Sequence, residues 1–136
     1  MPNKNLCILV GHAGGDPEVR YSSSGTCIAN FSLATSWGKK DSDGNWENFT
    51  DWHKIVAFGK LGEKVAEYIN KGQPVMVEGS IRYESWEDDQ GNKKYATKII
   101  ARSVDILIKP VDNQNQEKVN NQVDNKKDEE ESDLPF

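Results

Sequence analysis

Apolar and polar residues alternate with period two along several stretches of this chain, the signature of half-buried strands. In 26–36, Cys27, Ala29, Phe31 and Leu33 point one way, and Ile28, Asn30, Ser32 and Ala34 the other. In Thr50 to Phe58, His53, Ile55 and Ala57 share a side, opposed by Trp52, Lys54, Val56 and Phe58. In Pro74 to Trp86, Val75, Val77, Ile81 and Tyr83 oppose Arg82, Glu84 and Trp86. Tyr95 to Ile108 reads as the return strand, reached through a turn at Gln90-Gly91-Asn92. Leu6 to His12 is a short apolar run and a candidate first strand. Glu18 to Tyr21 is extended, and Trp37 to Asn48 reads as a polar loop.

One stretch changes period. Over Lys60 to Asn70, Leu61, Val65, Tyr68 and Ile69 recur as one helical stripe, with Gly72 and Pro74 closing it. A short helix between strands suits a plug on a barrel end. Five main strands in an antiparallel all-β pattern, with one helix after the third, match the five-stranded oligonucleotide-binding barrel.

Two of these strands carry a face that mixes rings with cations. Trp52 and Phe58 flank Lys54, and Trp86 shares a side with Arg82. Rings stack on bases and cations meet phosphates, so such faces suit an unpaired nucleic acid strand. Taken alone, the 50–58 face could equally be a second core face whose lysine snorkels outward. Trp37 and Trp46 add two tryptophans to a charged loop, either folded back onto the domain or awaiting a ligand that stacks.

Charge separates the chain into regions. The net charge is −5, but residues 1–110 balance 14 Lys+Arg against 14 Asp+Glu. All the excess lies in 111–136, with 3 Lys and 8 Asp+Glu. The expected organisation is a domain over 1–110, a disordered linker over 111–127 with too few apolar residues to offset ordering entropy, and an acidic tip over 128–136. That tip closes Asp133-Leu134-Pro135-Phe136, which offers a hydrophobic anchor, a carboxylate and flanking negative charge to a basic, apolar pocket.

With these motifs in order, the chain resembles the bacterial single-stranded DNA-binding proteins. The likeness rests on Ile8-Leu9-Val10-Gly11, Asp16 to Tyr21, Ala29 to Ser36, Asp51 to Lys60, Glu78-Gly79 ahead of Arg82 and Trp86, and the closing tetrapeptide. It implies an oligonucleotide-binding fold, a homotetramer wrapped by single-stranded DNA, and recruitment of replication, recombination and repair proteins through Asp133, Leu134, Pro135 and Phe136. Carried over residue by residue, the stacking positions fall on Trp52, Phe58 and Trp86. Trp37 is a further one, on a loop one residue shorter than usual. Phosphate-contacting cations fall on Arg20, Lys54, Lys60, Lys71 and Arg82, and His53 falls near a subunit interface. Three features depart from the family pattern. Glu84 and Ser85 stand where basic residues are common, Trp46 stands where no aromatic is expected, and the linker is short and rich in Asn and charge.

Other function classes find little support. The two histidines sit in no catalytic or metal-ligating spacing, and Asp88-Asp89 reads as solvated turn residues. No enzyme activity, cofactor or metal is expected. Cys7 and Cys27 form no CxxC pair, and neither a signal peptide nor a membrane span is legible, so a cytoplasmic protein with free thiols is expected, and the resemblance implies that it is nucleoid-associated. A pure protein-interaction adaptor would leave the exposed rings without a purpose. Nothing in the residues reads a 2′-hydroxyl, so discrimination against RNA does not follow from them.

Overall fold

The structure, a computed structural model, describes residues 2–107. The expected tail, with the linker 111–127 and the tip 128–136, lies outside the described residues. The elements are β1 (Cys7–Ala13), β2 (Glu18–Tyr21), β3 (Cys27–Lys40), β4 (Trp46–Phe58), α1 (Gly59–Tyr68), β5 (Pro74–Glu87) and β6 (Lys93–Ile106).

The strands hydrogen-bond in the order β1-β5-β6-β4-β3-β2. β1 also pairs with β3, through His12 to Ala34 and Ala13 to Leu33. That second pairing closes β1, β5, β6, β4 and β3 into a five-stranded barrel, with β2 added at the edge of β3. The expected oligonucleotide-binding barrel is therefore the observed fold. One ladder departs from the antiparallel pattern: β4 meets β6 in parallel, through Ile55 to Ile99 and Val56 to Ile100. Closure requires it, because strand direction cannot alternate all the way around a ring of five strands.

The core follows the inward parity. Ala29, Phe31 and Leu33 of β3, Ile55 and Ala57 of β4, Val75 and Val77 of β5, and Ile99 and Val104 of β6 are all buried. α1 adds Val65, with Ile69 just beyond its end, and lies across β3, β4 and β6. Lys64 Nζ donates to the Val104 carbonyl at 2.7 Å, tying the helix to the far wall of the barrel.

Three expectations about inward faces are corrected. Tyr68, placed in the helix stripe, is exposed. The helix ends at that residue and turns Gly62 and Val65 onto the barrel. Tyr83, grouped with Val75 and Val77, is also exposed. There β5 and β6 have left the barrel as a free two-stranded arm, with no layer opposite to cover it. Val56, placed with the outward rings, is buried, because the parallel step brings Ile100 alongside it.

The largest difference is the expected loop over 37–48. β3 and β4 stay paired out to Lys40 and Trp46, so only residues 41–45 turn. Asp41 Oδ1 accepts from the backbone N–H of Asp43 and Asn45, at 2.9 and 2.8 Å. Gly44 takes φ +83°, a region that only glycine enters freely. The β5–β6 turn is built identically: Asp88 Oδ1 accepts from Gln90 and Asn92 at 3.0 and 2.8 Å, and Gly91 takes φ +79°. Both turns spell Asp-x-x-Gly-Asn. The domain therefore carries two arms of matching design.

Candidate nucleic-acid interface

The pairing register decides which side chains share a surface. Cα partners in a ladder project from the same face of the sheet. Across β2, β3 and β4, Arg20 pairs with Ile28 and Ile28 with Phe58. Further along the hairpin, Ser32 faces Lys54, Ala34 faces Trp52, and Lys40 faces Trp46. Arg20, Phe58, Lys54, Trp52 and Trp46 therefore project from one surface. The surface continues through β6 to β5, where Arg82 faces Lys98 and Trp86 faces Lys94.

Trp52, Phe58 and Trp86 are 60, 46 and 49% exposed, so their rings face solvent and not the core. This excludes the reading of 50–58 as a strand buried on both faces. Trp52 is seated rather than loose: a Cβ at Gly14 would overlap its ring, so the bare backbone of Gly14 forms its floor. Of the two turn glycines after β1, Gly14 thus serves the ring. On this surface lies a groove of about 470 Å³, whose lining includes Asn30, Ser32, Lys54, Val56 and Lys98 together with the carboxylates of Asp16 and Glu18. Cations and exposed rings that share one surface can hold phosphates while bases stack.

The remaining expected residues lie at varying distances from this surface. Lys60 is exposed in the first turn of α1, directly after Phe58. Lys71 is exposed beyond the helix, and its backbone N–H donates to Asp16 Oδ1 at 3.0 Å, which ties that turn to the loop after β1. Trp37 is not brought together with Trp52. It pairs with Phe49 on the opposite face of the β3–β4 arm, and the two rings stack at 4.7 Å between centroids. Lys39 Nζ sits 5.3 Å from the Phe49 ring on that side. His53 is also on the opposite face, its Nε2 hydrogen-bonded to Thr35 Oγ1 at 2.8 Å. Asp133 to Phe136 lie outside the described residues.

Lys94 and Lys98 join the surface without having been expected there. Extending the two-residue alternation of 74–86 along the return strand would have found both. Lys98 is partly engaged, its Nζ 2.9 Å from Glu84 Oε2. The acidic departure at Glu84 thus acts locally, by occupying one of the cations of this face. Among the described residues no cluster of His, Cys, Asp and Glu is arranged to hold a metal ion. Among them, too, no helix is long and apolar enough to cross a membrane.

Residues 4–107 match the model of the Single-strand binding protein family. The chain belongs to that family. Among single-strand binding proteins it is 47% identical over 104 residues to single-stranded DNA-binding protein 1 of Chlorobaculum tepidum, covering 76% of this chain and 64% of that one. It is 46% identical over 103 residues to the single-stranded DNA-binding protein of Xanthomonas axonopodis pv. citri, covering 76% and 57%. The chain therefore spans less than two thirds of the length of either relative. Its fold superimposes on a solved Plasmodium falciparum protein of the family in complex with single-stranded DNA, with a TM-score of 0.73 and 28% identity, over 79% of this chain and 98% of that one.

Proposed function

We propose that this chain binds single-stranded DNA without sequence preference, by stacking bases on Trp52, Phe58 and Trp86 and by neutralising phosphates with Arg20, Lys54, Lys60, Lys71 and Arg82. The observation that carries this reading is the single outward surface on which three exposed rings and the cations of both arms coincide. Trp37, on the reverse of the β3–β4 arm, is reached by a strand that passes around that arm. Every base has a π face, so stacking gives affinity without reading sequence. Duplex DNA hides those faces and binds poorly. No bond is made or broken in this mechanism, so the protein acts as a binder and not as an enzyme.

The test is a titration with oligo(dT) that follows tryptophan fluorescence at several salt concentrations. Stacking quenches the emission, and affinity falls as salt rises, with a slope of about −0.7 per neutralised phosphate on a single strand. An unquenched signal, or binding indifferent to salt, rejects the proposal.

The homotetramer belongs to the same proposal. Ile8 and Val10 of β1, with Leu6 just before it, leave an apolar row exposed. A row of this kind suits contact with a second copy of the chain. The acidic tip, Asp133 to Phe136, supplies the recruitment of replication, recombination and repair proteins, in a cytoplasmic, nucleoid-associated setting. Its charge also competes weakly with DNA for the cationic surface, so a bound strand frees the tip for partners. Deleting residues 128–136 leaves oligo(dT) affinity unchanged or tighter and abolishes partner binding. Partner binding that survives the deletion refutes this assignment.

A further inference from the structure

We propose that Trp46 is an additional base-stacking residue, extending the single-strand path to the tip of the β3–β4 arm. The inference rests on the single-strand reading above and lengthens the site it describes.

Three observations carry it. The register of the arm is unbroken from Ile28–Phe58 to Lys40–Trp46, so Trp46 projects from the same face as Trp52, Lys54 and Phe58. Trp37, the other arm tryptophan, projects from the opposite face, with one side of its ring covered by Phe49. Second, Trp46 is seated as Trp52 is. A Cβ at Gly38 would overlap its indole, so the ring lies on bare backbone, as the Trp52 ring lies on Gly14. Third, its orientation is fixed. Indole Nε1 donates to Asn48 Oδ1 at 2.7 Å, yet the residue is 59% exposed. One face of the ring is held against the arm and its other face is open. A ring ordered before binding loses little freedom when a base stacks on it.

Geometry sets the reach. Trp46 and Trp52 are six positions apart on one strand, roughly 20 Å at about 3.3 Å per residue. A strand anchored at Trp52 and Phe58 therefore meets Trp46 only when it is long enough to run out along the arm. Lys40, the register partner of Trp46, supplies a cation beside the ring.

The experiment measures the affinity of the full-length chain for labelled oligo(dT) of increasing length, by anisotropy, for wild type, Trp46→Ala, Trp46→Phe and Gly38→Val. Trp46→Ala binds long oligonucleotides roughly tenfold more weakly than wild type and short ones equally well. Trp46→Phe keeps most of the affinity, because the ring remains. Gly38→Val, which drives the indole off its seat, behaves like Trp46→Ala. Thermal melting of each variant reports the fold. Wild-type affinity for long oligo(dT) in Trp46→Ala overturns the inference, and so does an equal loss at every length. In either case Trp46 only braces the arm. A wild-type chain that fails to bind oligo(dT) at any length overturns the single-strand reading itself, and this inference with it.

Discussion

Trp52→Ala binds oligo(dT) about 5- to 150-fold more weakly than wild type while its melting temperature stays almost unchanged. The ring is 60% exposed and rests on Gly14, so removing it opens no cavity in the core. What is lost is one stacked base. For single-strand binding proteins, this family among them, such a contact is worth about 1–3 kcal/mol by alanine substitution. Trp52 sits at the middle of the surface, between the Lys54 groove and the β3–β4 arm, so no neighbouring ring takes over its base. Trp52→Phe retains a π face and loses much less. The salt dependence is the informative control. Lys54 and the other cations are untouched, so the slope of affinity against salt stays the same while its intercept drops. Unchanged affinity in a folded Trp52→Ala protein removes Trp52 from the interface. A changed slope means instead that its loss has displaced the cations.

Gly11→Ala gives the opposite pattern, a loss of stability that DNA contacts do not explain. β1 is held on two sides, by β5 along its length and by β3 at its end. At Gly11 the backbones approach so closely that a Cβ would land on the Ala34 carbonyl. Neither partner can give way, because both are strand backbone. Overpacking of this kind costs about 1–3 kcal/mol or more. For a domain near this size that lowers the melting temperature by roughly 5–20 °C. The pairing of His12 with Ala34 and of Ala13 with Leu33 closes the barrel, so opening it also exposes Leu33 and Val77. Differential scanning calorimetry of wild type and variant measures the shift. A variant that melts with wild type shows that the β1–β3 seam is not what holds the barrel shut.

Much of the site was legible because strand parity is a local property. Trp52, Lys54 and Phe58 follow from two-residue alternation alone, as do Arg82 and Trp86. The arms were harder to read. The 41–45 turn has the spelling of the 88–92 turn, but two tryptophans in charged surroundings read as a loop. Paired strands leaving a barrel carry polar residues on both faces, which removes the alternation that marks a strand. For the same reason Tyr83 fell on the wrong side: alternation predicts a buried face only where a second layer exists to bury it.

Local sequence settled the barrel strands, the single helix, the confinement of the excess negative charge to residues 111–136, and the pairing of rings with cations on outward faces. Each is set by periodicity or composition within a dozen residues. The tertiary structure decided which of those faces become one surface. That depends on register across strands far apart in the chain: Arg20 beside Ile28 and Phe58, Lys98 beside Arg82, and Trp46 rather than Trp37 in line with Trp52. A shift of one residue in any ladder would turn every side chain to the other face, and local sequence does not encode where distant strands fall into step.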